Sequence, residues 1–359
     1  MADRDNGPHR RVLLDDVARM AGVSRSTASR ALVDDPRISE PTRTAVQRAA
    51  SELRYVPNAA ARSLRARRTR ILGLLLANLR DPVFGQIAAA FEQEAWAGGY
   101  QVIFEVGLQD PTLERKALRI FTEHAADGVA TVSNVMAPNE AQRHFRPDRL
   151  IIVQPDHRRV QRYRGPLIPG VIMTDDACGV EAVVNHLVQA GYRDIAYLGS
   201  GTRGSSTVHR EAVGRALGKH GIRVQLDRFP SPDNAWRTAD TIAALIAADL
   251  PEALICYEDV LALALMDALR RYGIHAPADV GIAGFDGIPF AEISNPRLTT
   301  VATPLAELGR LAAVSLIGAI QTGELPEAVV LPVELVVRES TLAQLPRGAQ
   351  PVANAQASS

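Results

Sequence analysis

Lysine is almost missing. Lys116 and Lys219 are the only two, so the 40 basic residues are otherwise all arginine. With much alanine beside them, this is a compositional bias, so a single arginine carries less information here than in an ordinary chain. Cysteine is as scarce. Cys178 and Cys256 lie far apart without metal-ligand spacing, which excludes a disulfide framework and a cysteine-based metal centre and fits reduced, buried thiols. No run of about 18 apolar residues is present to cross a membrane, and the polar residues 1–11 lead into no apolar signal segment. A cytoplasmic location is expected. No Ser-His-Asp set, paired carboxylates or metal cluster stands out, and the 8 histidines are scattered, so no enzyme activity, cofactor or metal is expected.

Net charge is also missing, but only in total. Residues 1–70 hold 15 Arg against 8 Asp plus Glu, a local balance of +7 within a formal net charge of +0. A basic N-terminal module facing a polyanion is implied. Its organising stretch is 14–32, which reads as two short helices around a tight turn. Val17, Met20 and Ala21 give the first helix an apolar face, Gly22 supplies the turn, and Ser24 stands where an N-cap belongs. Val23, Ala28, Ala31 and Leu32 then face the first helix, while Arg25, Ser26, Ser29 and Arg30 point away from it. Such a helix fits the major groove of double-stranded DNA, where arginine pairs with guanine at two points. Ser39 caps a third helix running to about Leu53. Five arginines follow between 62 and 70, close enough to reach phosphates.

From Arg70 the texture changes to strand–helix alternation. The apolar run 71–76 reads as a buried parallel strand, followed by strands at 100–106, 128–132, 150–153, 195–199, 253–256, 281–285 and 329–337. Helices are expected at 84–98, 113–124, 179–190, 210–220, 236–247, 260–272 and 305–320. The fold class is therefore α/β: an all-α helix-turn-helix domain followed by two doubly wound parallel-sheet lobes. The expected division is a disordered 1–11, a DNA-binding domain 12–56, a hinge segment 57–69 and a two-lobed body 70–345. One lobe takes about 70–173 and 302–333, the other about 174–301 and 334–345. The Ala/Gln/Ser-rich tail 346–359 has no leucine heptads and reads as disordered, so a homodimer rather than a coiled-coil tetramer is expected.

These residues resemble the lac-repressor-type family of bacterial transcription regulators. The match runs through Asp16-Val17-Ala18, Ala21-Gly22-Val23-Ser24 and Thr27-Ala28-Ser29-Arg30. It continues in Leu53-Arg54-Tyr55-Val56-Pro57-Asn58, Ala61-Arg62-Ser63-Leu64, Phe285-Asp286 and Leu298-Thr299-Thr300-Val301. The resemblance implies a periplasmic-binding-protein-like body and a repressor, with a palindromic operator and a small-molecule effector, a sugar or polyol, between the lobes. Arg25, Ser26 and Arg30 would approach base edges. Leu14, Ser24, Thr27, Ser29 and Asn58 would hold phosphates, with Arg62 beside them. Leu64 would wedge between base steps in the minor groove. Effector candidates are Asp81, Phe84, Ser133, Arg210, Glu258 and Asp286, at the carboxyl ends of strands or beside them.

Several positions depart from the family. Leu13 replaces its usual helix-capping Thr, Val213 a glycine, Glu258 the Asn of an Asn-Asp pair, and Gln154 an Asp. Glu258 adds an acceptor charge, so acidic ligands are disfavoured and a neutral sugar or polyol, or one carrying an amine, is expected. A competing pattern is Gly199-x-Gly201-x-x-Gly204 after a strand, with Asp227 beyond it, which fits a dinucleotide-binding loop and would make the chain a redox sensor or oxidoreductase. A periplasmic sugar-binding protein is opposed by the helix-turn-helix and by the missing signal segment.

Overall fold

The computed structural model describes residues 12–55, 68–133, 135–155, 168–199, 204–223, 226, 239–247 and 250–342. Two compact units result, Met1–Thr69 and Arg70–Ser359.

In the first unit, α1 (Leu14–Met20), α2 (Arg25–Ala31) and α3 (Glu40–Glu52) form a three-helix cluster. Val17, Ala28, Ala31 and Val46 are fully buried at its centre. Two of those four are alanines on α2, so nothing bulky holds that helix off its neighbours. Gly22 turns the chain at φ +66, a conformation open to glycine. The Ser24 hydroxyl accepts from the Thr27 amide at 3.1 Å, capping α2. Leu13 has no acceptor to offer α1, but the Asp16 carboxylate accepts the Leu13 N–H at 2.9 Å, so half of the capping exchange survives.

The second unit begins with β1 (Ile71–Leu76), α4 (Pro82–Ala97), β2 (Gln101–Val106), α5 (Pro111–Glu123), β3 (Gly128–Val132), α6 (Pro138–His144), β4 (Leu150–Val153) and β5 (Val171–Thr174). It continues through α7 (Asp176–Gln189), β6 (Ile195–Leu198), α8 (Gly204–Lys219), α9 (Ala239–Ala247), β7 (Ala253–Cys256), α10 (Asp259–Arg270) and β8 (Gly281–Asp286). The last elements are α11 (Phe290–Ile293), β9 (Thr299–Ala302), α12 (Leu305–Thr322), β10 (Val329–Leu331) and β11 (Glu334–Val336). The strands make two sheets, in the order β10-β5-β4-β3-β1-β2 and β11-β9-β8-β7-β6. All described pairings are parallel except β11 against β9. Strands with helices on both faces must be apolar throughout, and β3, β4, β5, β6 and β7 are buried at every position.

The chain passes between the sheets at 174–176, 302–305 and 331–334. The last passage corrects an expectation. The run 329–337 is not one strand: β10 joins the first sheet and β11 the second, broken around Pro332, whose ring has no N–H for a ladder. Further differences are local. The helix expected at 210–220 starts at Gly204, the helices α6 and α11 and the strand β5 were not anticipated, and β9 emerges from residues read only as a family landmark.

Helix α12 is long and apolar enough to span a membrane by composition, yet Leu308, Ala312, Leu316 and Ile320 bury one face of it in the first lobe's core. Gly309 lets it lie directly on α4, since a Cβ there would collide with the Ile87 carbonyl. The expected disordered ends 1–11 and 346–359 lie outside the described residues.

Candidate functional site

Two surfaces carry the chemistry, one on each unit. On the first, Ser24, Ser26 and Thr27 gather their hydroxyls at the start of α2, with Ser24 Oγ 2.9 Å from Ser26 Oγ and 2.8 Å from Thr27 Oγ1. Arg25 is 72% exposed in its side chain and lies 3.5 Å from the Asp15 carboxylate of α1. Arg30 is exposed one turn further along, while Leu14, Thr27 and Ser29 are half-buried. The described residues thus put Arg25, Ser26 and Arg30 on the outer face of α2, with hydroxyls at its positively polarised N-terminus, where phosphate oxygens are favoured. Asn58, Arg62 and Leu64 lie outside the described residues.

The second surface is a cavity of about 400 Å³ within the body. Its wall comes from the carboxyl ends of β1, β2, β3 and β4 in one lobe and of β7 and β8 in the other, with contributions from α7, α8 and α12. Parallel strands all end on the same side, so two facing lobes bring their loop ends together across one crevice. Five non-glycine residues on this wall have left-handed backbones: Leu108 (φ 50), Gln109 (φ 57), Ser133 (φ 52), Gln154 (φ 49) and Asp286 (φ 111). Strained backbone gathered on one cleft marks a binding site, because packing must hold each residue in an unfavourable conformation.

Local hydrogen bonds fix the side chains. Asp81 caps α4, its carboxylate accepting from Val83 N at 3.0 Å, which sets Phe84 into the wall. Gln154 spans to the end of β5: its Nε2 donates to Thr174 Oγ1 at 2.6 Å, and its Oε1 accepts from Thr174 N at 3.0 Å. Thr174 Oγ1 in turn donates to Asp176, whose other oxygen lies 3.2 Å from His209 Nε2. His209 stacks on Phe285 with ring centres 4.1 Å apart. A relay Gln154–Thr174–Asp176–His209 therefore runs from the first lobe to the second at the 174–176 passage.

Asp259, fully buried under the cavity floor, accepts from Thr300 Oγ1 at 2.6 Å and from Ile288 N at 2.9 Å, pinning the loop that carries Asp286. Gly284 is obligatory beneath it, because a Cβ would collide with the Asp259 carboxylate. Burial pushes the Asp259 carboxyl up to about 7, against the pull of the Thr300, Ile288 and Gly287 hydrogen bonds. Asp286 is half-buried and lines the cavity. Its pKa lies well above the ordinary carboxylate range, first through burial and then through repulsion from Asp81, Asp259, Glu258 and Asp176.

Of the six effector candidates, Asp81, Phe84, Ser133, Glu258 and Asp286 line this cavity. Arg210 does not; it is half-buried on α8, and its neighbour His209 takes the place on the wall. Sequence reasoning passed over His209, Asp176, Gln109, Tyr257, Phe285 and Thr303. Asp176 had a readable signal, since it stands two residues beyond a strand end. His209 had none. Consecutive helix positions differ by about 100° in direction, and only the packed helix shows which one faces the cleft. The Gly199–Gly204 pattern follows β6 and opens α8, but residues 200–203 lie outside the described residues.

A basic helix-turn-helix joined to a two-lobed binding-protein-like body defines a class: DNA-binding transcription regulators of bacteria. The comparisons place the chain within that class. A family model for bacterial regulatory proteins, lacI family, matches residues 13–58, and one for a periplasmic binding protein-like domain matches 184–341. The chain is 30% identical over 335 residues to the HTH-type transcriptional regulator DegA of Bacillus subtilis, covering 91% of this chain and 97% of that protein. It is 30% identical over 319 residues to GalR of Escherichia coli, covering 87% and 90%. Among solved structures, the lac repressor dimer bound to operator and the anti-inducer ONPF superposes with a TM-score of 0.80 at 24% identity, covering 93% of this chain and all of that one. The chain belongs to the lacI family of bacterial regulatory proteins. These relatives are transcriptional regulators, not enzymes, and they give the redox reading of the glycine loop no support.

Proposed function

We propose that the protein is a homodimeric repressor whose operator affinity is set by a polyhydroxylated small molecule held between the lobes. The observation that carries this reading is a cavity of about 400 Å³ at the strand ends, on the same chain as a DNA-reading helix. In it, Asp81, Glu258 and Asp286 accept ligand hydroxyls, Phe84 covers an apolar sugar face, and Ser133 donates or accepts. On the DNA side, Arg25, Ser26 and Arg30 read bases. Leu14, Ser24, Thr27, Ser29, Asn58 and Arg62 hold the backbone, and Leu64 enters the minor groove. The Asp15–Arg25 pair aims the guanidinium.

Mechanistically, a ligand that bridges both lobes binds one lobe arrangement better than the other and shifts the population toward it. The hinge segments of the two subunits then dock on DNA or separate. The relay through Asp176 and His209 crosses between the lobes, so it senses that shift directly. The test is selection of binding sites from random DNA combined with sedimentation. The expected result is a palindromic site and a dimer that persists when residues 346–359 are removed. A single half-site bound by a monomer would contradict the reading, as would a tetramer that survives the truncation.

A further inference from the structure

Asp259 is completely buried, yet the fold provides for its carboxyl in both charge states. It opens α10, and its two oxygens have different partners. Oδ2 accepts the Ile288 N–H at 2.9 Å, and Oδ1 faces Thr300 Oγ1 at 2.6 Å. Thr300 Oγ1 also accepts from Gly287 N at 3.3 Å, and the Val301 carbonyl, 3.5 Å away, is a second acceptor for its hydrogen. With Asp259 ionised, the Thr300 hydroxyl donates to Oδ1. With Asp259 protonated, Oδ2 still meets an N–H, so the proton sits on Oδ1 and is donated to Thr300 Oγ1. The Thr300 hydrogen then turns to Val301. Both states keep the bond to Ile288.

Asp286 shares this face of the sheet. Residues two apart in a strand point to the same side, so Asp286 follows Gly284, whose missing Cβ makes room for the Asp259 carboxylate. Thr300 lies opposite Gly284 in the parallel pair β8–β9. The two N–H groups held by Thr300 and Asp259 belong to Gly287 and Ile288, the residues directly after Asp286. Asp259 thus shapes the turn that carries Asp286 and sets a second carboxylate near it. Two carboxylates enclosed together do not both ionise readily, and the charge of Asp259 is among those that disfavour ionisation of Asp286.

We propose that Asp259 is a positioning residue of the effector site, holding a proton while Asp286 presents its carboxylate to ligand hydroxyls. The proposal rests on the reading of this cavity as the effector site and adds a proton to it. Donated hydroxyls favour the ionised form of Asp286, and that charge in turn favours the neutral form of Asp259. In the free protein the two carboxyls share one proton; in the bound state it resides on Asp259, where Thr300 accepts it. Burial brings the Asp259 carboxyl up to about 7, so the exchange falls near neutral pH. The other charged and titratable groups around Asp259 are Glu258, the residue before it, and Arg338, past β11, which draws the carboxyl down. The Cys256 thiol at the end of β7 is pushed up by burial and stays protonated. Asp81 and Asp176 act on Asp286 in the same direction as Asp259 does.

The test follows the aspartate carboxyl carbons of the full-length protein by NMR across pH, with the two signals assigned by their loss in Asp259→Asn and Asp286→Asn. Asp259→Asn keeps the bonds of the neutral state, its amide donating to Thr300 and its oxygen accepting from Ile288. Each variant should lower the midpoint of the other carboxyl by at least about half a pH unit. Thr300→Val removes a donor to the charged form and should raise the Asp259 midpoint, and Thr300→Ser should restore it. Affinity for glucose, ribose and sorbitol, measured over the same range, should fall on acidification, and in Asp259→Asn that fall should move to lower pH. An Asp286 midpoint indifferent to Asp259→Asn overturns the proposal. Probe binding lost at every pH in a folded Asp259→Asn overturns it too, leaving Asp259 a structural support. Should Asp259→Asn not fold, an Asp259 midpoint unmoved in both Asp286→Asn and Thr300→Val is the contradicting result. Silence from every probe while the two carboxyls stay coupled would count against the effector reading and remove the ligand's part in the proposal.

Discussion

Arg30→Ala weakens binding to the selected operator by about 1–3 kcal/mol, roughly 5- to 150-fold, and weakens binding to random DNA of equal length far less. Arg30 is exposed in the last turn of α2, on the face away from Val17, Val46 and the rest of the helix cluster. Its removal therefore costs the fold little. A guanidinium that reads guanine at two points is lost only where that guanine is present, whereas a phosphate contact is lost on every sequence. Arg25→Ala should have a smaller effect at equal salt. The Arg25 side chain is shared with Asp15 at 3.5 Å, so part of its charge is already matched within the protein. The check is a fluorescence titration of both variants on both DNAs. Equal losses on operator and random DNA would reassign Arg30 to the backbone.

Acidification stabilises the body. Asp259 ionises near 7 in the folded protein against an ordinary 3.8, so the folded state holds its proton more tightly than the unfolded chain does. The contribution is complete below the unfolded value and is lost as pH rises through the folded one. Between about pH 8 and about pH 5 this group alone should add roughly 2–3 kcal/mol. Asp286, raised by burial and by its carboxylate neighbours, acts in the same direction. His186 opposes them, because burial holds its ring below the ordinary 6.5 and its protonation favours unfolding. Comparison of wild type with Asp259→Asn cancels the His186 effect. Denaturant unfolding across this range should show a slope that flattens in the variant. Wild-type stability that rises with pH, or an unchanged slope in Asp259→Asn, would refute the buried-carboxylate account.

The helix-turn-helix was legible because its determinants are local. The Ser24 cap, the Gly22 turn and the Val17–Ala21 spacing each act within a few residues. The parallel strands were legible for a related reason: burial on both faces demands unbroken apolar runs such as 71–76. What failed was non-local. The split of 329–337 depends on which sheet edge each half reaches, and both halves have the same strand-forming composition. Helix α6 is seven residues long with only Pro138 and Ala141 buried, too short for its period to register. At the site, Asp81, Ser133, Glu258 and Asp286 were found because topology puts strand ends at the crevice, yet the same rule passed over Gln109, Tyr257 and Thr303, which stand just beyond strand ends too. The helix that contributes His209 had to be packed before its rotation was known. Gln154 was legible as a missing carboxylate, but its two bonds to Thr174 join residues twenty apart in the chain.

The central claim is that the cavity and the DNA-reading helix belong to one switch. Its most direct measurement is operator affinity of the full-length protein, with and without a ligand that stabilises it, in wild type and in Asp286→Asn. Wild type should change affinity at least tenfold on ligand addition, a coupling of about 1.4 kcal/mol or more. Asp286→Asn should bind the same operator with near-wild-type affinity and lose that response. A ligand response that survives intact in Asp286→Asn, or operator binding that ignores every ligand found to stabilise the body, would contradict the account.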